Sequence, residues 1–125
     1  YKWGLVVMIK VGECYYHNGV QHVVIAASKK DGIVLVLSIT SGDFDKSCEI
    51  EPEEIIDNTG RKILKHKSYI CYKKAFEFKN YKTYEKFRDN YDYRCDISAE
   101  LLIKIKEGAK KSEFLPSKFK KYFSD

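Results

Sequence analysis

The stretch VGECYYHNGVQHVVIAAS (residues 11–28) decides how the chain folds. Asn18 and Gly19 both tolerate positive φ and stand between two apolar runs, the strongest short-range signal for a β-hairpin. The spacing predicts a first strand ending near His17 and a second over residues 21–27. KKDG (residues 29–32) then supplies another tight turn, leading into IVLVLSITS (residues 33–41). Six of the first seven residues in that run are aliphatic, so it reads as a central strand covered on both faces. Three antiparallel strands in succession make a meander.

The central strand ends in two hydroxyls, Thr40 and Ser41, just before Gly42 and Asp43. One reading is a turn, because Ser and Thr side chains bond nearby backbone groups and halt a strand. The other places both hydroxyls on the rim of a sheet, where a rigid element holds a reactive or phosphate-gripping group.

Further short strands are expected over residues 47–51, 68–72 and 75–78, the last two joined by Lys73 and Lys74. Short strands at this spacing favour a small, curved, closed or half-closed barrel. Helices come late. NYKTYEKFRDNY (residues 80–91) carries Tyr81, Tyr84 and Phe87 near one face. ISAELLIKIKEGAKKS (residues 97–112) has Ser98 as N-cap, Glu100 in the first turn, Leu102, Ile105 and Ala109 on one stripe, and Lys110 and Lys111 at its end. LPSKFKKYF adds a last turn with Phe119, Tyr122 and Phe123. The fold class is therefore mainly β with C-terminal helices (α+β), in one domain over residues 1–125 with a helical segment at 97–125. Met8 opens MIKVGE, which reads as the start of the domain, with residues 1–7 as an extension.

At 125 residues, 44% hydrophobic and 33% charged, the chain has the composition of one folded domain. No run approaches the roughly 18 to 20 apolar residues of a membrane span, so no membrane partner and a cytoplasmic location are expected. Cys14, Cys48, Cys71 and Cys95 lie far apart with no CxxC pair and read as reduced thiols. Cys14, His17 and His22 are the nearest thing to a zinc pattern, but a second ligand pair is missing, and neither metal nor cofactor is expected. Charge is uneven: residues 1–60 carry 5 Lys and Arg against 9 Asp and Glu, net −4, whereas residues 61–125 carry 18 against 9, net +9. That asymmetry suits a face that meets a polyanion, and equally a solvated lysine-rich surface.

RKILKHKSYICYKK (residues 61–74) concentrates six Lys or Arg with two Tyr and no carboxylate. Cations interleaved with aromatic rings neutralise phosphates while the rings stack on bases, which suits single-stranded nucleic acid. Arg61, Lys62, Lys65, Tyr69, Lys73 and Lys74 are the candidate contacts. Ile63, Leu64 and Ile70 place part of the same segment in a core, where Tyr69 and Tyr72 would also pack. KHKS puts His66 and Ser68 on one side of a strand and Lys67 on the other. An imidazole moves protons near neutrality and a lysine stabilises charge developing on phosphate. His17 and His22, at the hairpin end, would face each other.

Taken in order, VGECYYHNGVQHVVIAAS, GIVLVLSITS, DKSCEI, KHKSYICYKKA and ISAELLIKIKEGAKKSEFLP resemble small bacterial proteins of the PemK/MazF toxin type, over residues 11–116. The resemblance implies an SH3-like barrel with added helices. It also implies a metal-independent endoribonuclease acting on single-stranded RNA in a toxin–antitoxin or phage-defence system, with a cognate antitoxin and a homodimer as partners. A hydroxyl ending the ITS-like strand then belongs to the site, here Thr40 and Ser41. The family's arginine comes from a longer loop between the first strands. Here that loop is HNGVQ, and no arginine precedes Arg61. His22 or His66 would then exchange protons, with Lys67 or Arg61 supplying charge and Ser68 beside them. The competing expectation is a non-catalytic SH3-like module that holds nucleic acid or an acidic protein through the same basic face.

Overall fold

A computed structural model describes residues 9–29, 32–79 and 90–124. The expected extension, Met8 and all but the last two residues of the helix expected at 80–91 lie outside them.

The hairpin forms where the turn chemistry demands it. Strands β1 (Glu13–His17) and β2 (Gln21–Ser28) flank a turn in which Asn18 and Gly19 take φ of 49° and 68°. The Val20 N–H closes that turn on the His17 carbonyl at 2.8 Å. Strand β3 (Ile33–Thr40) pairs antiparallel with β2 and with β5 (Ser68–Lys79), so its aliphatic run is central, as its composition requires. Strand β4 is only Glu49–Ile50, and β6 is Tyr91–Asp96. The order β4-β5-β3-β2-β1-β6 makes one six-stranded antiparallel sheet, curled into a half-barrel.

Two features depart from the sequence expectation. Residues 68–72 and 75–78 belong to one strand, not two, but the ladder slips there: Ser38 faces Cys71 whereas Val36 faces Phe76. Tyr72, Lys73, Lys74 and Ala75 thus stand opposite Leu37 alone, and both lysines bulge into solvent. The second departure is β6, which begins at Tyr91, the last residue of the expected helix, and runs on through residues 92–96, for which no element was expected. Its alternation of Tyr91, Tyr93 and Cys95 was the available signal.

Both sheet faces are covered. Val23, Ile25, Val34 and Val36 join Ile9, Tyr15 and Tyr91 on one face. Val24, Leu35, Leu37, Ile39, Ile70 and Tyr72 form the other, under helix α1 (Ala99–Lys111). Ser98 caps α1 by accepting the Leu101 N–H at 3.1 Å. The buried stripe is Leu101, Ile105, Gly108 and Ala109; Leu101 takes the place expected of Leu102, which is half-buried. A Cβ on Gly108 would clash with the Tyr72 hydroxyl and approach the Ser47 carbonyl to 2.8 Å, so only glycine lets α1 approach this closely. The Tyr72 hydroxyl donates to the Ile105 carbonyl at 2.6 Å, which satisfies its buried polar tip. Phe119 closes the same core from a 3-10 segment, Ser117–Tyr122, with Leu115 before it, Phe123 just after it and Tyr122 packed at the edge. Among the described residues no helix is long and apolar enough to cross a membrane.

Candidate nucleic-acid cleft

Beyond the end of α1's cover, the sheet face opens into a cleft of about 450 Å³. Its walls come from three places: the hairpin end (Tyr16, Val20, His22), the end of β3 (Ile39, Thr40, Ser41) and the loop before β5 (Ile63 to His66). Apolar Ile39, Ile63 and Leu64 line it beside two imidazoles, the hydroxyls of Tyr16, Thr40 and Ser41, and Lys65.

Register explains which histidine enters. Tyr16 pairs with His22, so both project to one face, and their rings sit 4.5 Å apart at 32°. His17 pairs with Gln21, projects to the opposite face and stacks on Tyr91 at 4.1 Å. His17 and His22 therefore do not face each other. Cys14 is buried beside Cys95, and among the described residues no group of three His, Cys, Asp or Glu is placed to hold a metal ion.

Burial, and then the positive charge of Arg94, holds the His22 imidazole below its ordinary value, so it is neutral near pH 7. Arg94 was not anticipated from sequence. Between β1 and β6, Cys14 faces Cys95 and Tyr15 faces Tyr93, leaving Arg94 as the extra residue of a β-bulge. Bulges re-aim side chains, and this one lays the guanidinium over the Tyr16 ring at 5.1 Å. Arg94 forms no ion pair among the described residues. A basic residue inside an alternating strand gave no hint of this, because the bulge depends on pairing.

The other candidates divide. Thr40 lines the cleft while its Oγ1 accepts the Gly42 N–H at 3.1 Å, so the turn reading holds for this hydroxyl, and Ser41 is exposed beside it. His66 lines the cleft from a bend before β5 and not from a strand, since β5 begins at Ser68. Lys65 is exposed at the same wall. Lys67 points elsewhere: its ammonium sits 2.7 Å from Glu49 and 3.9 Å from Glu51. That pairing lowers the Glu49 carboxyl and raises Lys67. Ser68 is buried and donates to the His66 carbonyl at 3.0 Å, fixing the loop.

The remaining contacts spread along the outside. Arg61 is exposed, its backbone locked to Asp57 at 2.9 Å and 2.8 Å. Lys62 pairs with Glu53 at 3.6 Å. Tyr69 is buried in β5 and offers no free stacking ring; Lys73 and Lys74 lie on the bulge. The stacking-capable rings at the cleft are instead Tyr16 and His22.

No protein-family model, no curated protein and no solved structure matches the chain. What fold and site define is a small β-rich domain with helix α1 covering one sheet face and a cleft that combines apolar walls, two imidazoles and a lysine.

Proposed function

We propose that the cleft binds single-stranded RNA and cuts it without a metal, by attack of a 2′-hydroxyl on the adjacent phosphate, in a PemK/MazF-like domain of SH3-like type. The observation that carries this reading is the convergence of His22, His66 and Lys65 on one cleft with Arg94 stacked behind Tyr16. Transesterification needs a base for the 2′-hydroxyl, an acid for the leaving oxygen and positive charge on the phosphate. His22, neutral near pH 7, takes the proton; His66 returns one to the 5′-oxygen; Lys65 stabilises the charged intermediate, with Arg94 holding Tyr16 from behind. Thr40 Oγ1 accepts from Gly42, which leaves its own hydrogen to donate to a phosphate oxygen. Lys67 has no part in this scheme because Glu49 holds it. A homodimer and a cognate antitoxin covering the cleft belong to the same proposal.

A second reading is favoured by the fixed roles of two hydroxyls. Thr40 already serves a turn and Ser68 is buried, which suits a module that binds RNA or an acidic protein without cutting.

Incubation with a long single-stranded RNA, with and without EDTA, separates the two. The nuclease predicts discrete fragments that persist in EDTA and fall about 10²- to 10⁴-fold in His22→Ala or His66→Ala. Intact RNA bound with a steep salt dependence supports the binding module. Cleavage abolished by EDTA removes the metal-free mechanism.

A further inference from the structure

Cys14 and Cys95 are partners in register across β1 and β6, and both lie in the core cluster. Of the four thiols, all free and buried, these two stand directly opposite one another in a ladder. Directly opposed residues of an antiparallel pair hold their Cβ atoms about 4.5–5.5 Å apart, so reaching the roughly 3.5–4.5 Å of a disulfide takes a shift of about 1 Å between the strands. β6 ends the strand order, so Cys95 lies on an edge strand and the pair bridges the outermost ladder. Edge strands open locally at less cost than central ones.

We propose that Cys14 and Cys95 form an oxidative modification site, closing to an intramolecular disulfide when β6 opens to a peroxide. The Cys95 sulfur attacks one peroxide oxygen and breaks the O–O bond; it becomes a sulfenic acid, and one water leaves. The Cys14 sulfur then attacks the sulfenyl sulfur, forming the S–S bond and releasing a second water. Two thiols are oxidised and one hydrogen peroxide is reduced. Cys95 lies on the strand that opens, so it meets the peroxide first, and this assigns the first attack to it. Cys48 is a poor competitor, because burial pushes its thiol up to about 11.

The product ties β6 to β1 beside the Arg94 bulge, so it also fixes the guanidinium over Tyr16. This inference does not depend on the nuclease reading, since neither step involves RNA.

The test uses the unaltered full chain, reduced and then treated with hydrogen peroxide. Non-reducing peptide mapping is expected to recover the peptides of Cys14 and Cys95 joined, with Cys48 and Cys71 still free. Hydrogen exchange at the β6 amides is expected to slow in the oxidised protein and to recover on reduction. A double Cys48→Ala, Cys71→Ala chain should oxidise in the same way. Joined Cys48 or Cys71 peptides, an intermolecular disulfide, overoxidation without a crosslink, or unchanged thiols would each overturn the proposal.

Discussion

Two stretches of the same sheet face behave in opposite ways. Under α1, Ile105 and Tyr72 meet so closely that position 108 tolerates no side chain. Beside the hairpin end, Tyr16, His22 and Ile39 leave room for a ligand. The difference lies in the residues each stretch offers. Leu35, Leu37 and Ile70 present surface without polar tips, which a helix covers by burying its own stripe. Tyr72 lies under the helix because the Ile105 carbonyl accepts its hydroxyl, whereas Tyr16 and His22 stay half-buried at the cleft, where water reaches their polar atoms.

That contrast makes Ile105→Ala the most damaging change, expected to cost about 2–5 kcal/mol through the cavity it leaves. Gly108→Ala follows at about 1–3 kcal/mol, because Ser47 and Cys48 must move to admit a methyl group. Exposed His66→Ala should change stability by less than about 0.5 kcal/mol. Denaturant titration of the three variants checks the ranking. A cost for His66→Ala equal to that of Ile105→Ala would make the cleft wall part of the core and erase the comparison.

The smallest effect concerns His22. Its folded value lies below the unfolded one, near 6.5, so the unfolded chain binds the extra proton first. Stability should therefore fall as pH drops through and below that unfolded value, until the folded imidazole also protonates. Melting curves of the parent and of His22→Gln, taken from about pH 7 to about pH 5, should show the parent losing more. Parallel losses would mean that His22 is solvated like an ordinary exposed histidine.

Much of the frame was legible because local chemistry agreed with the final arrangement. Asn18-Gly19, the aliphatic β3 and the Ser98 cap each dictated their element without help from distant residues. The joining of β5 across Lys73 and Lys74 was hidden, since a slip in the ladder is a property of two strands. The same reason hid Arg94, whose direction follows from a bulge against β1. Within the site, His22, Thr40, Ser41 and His66 were named from type and position, and the structure brings them to one cleft. Lys67 went astray because Glu49 lies on the short neighbouring strand β4, a pairing that spacing alone does not reveal.

The position of β6 has a consequence for how the protein is made. β1 finds one neighbour at once in β2, but its other neighbour is encoded some eighty residues later, as the pairing of Cys14 with Cys95 records. At typical rates of translation the nascent chain must wait on the order of several seconds before that strand emerges. During this interval the outer backbone of β1 is an open template for any other extended chain. Assembly is therefore vulnerable for the whole of that interval, and closure of the β1–β6 ladder ends the exposure.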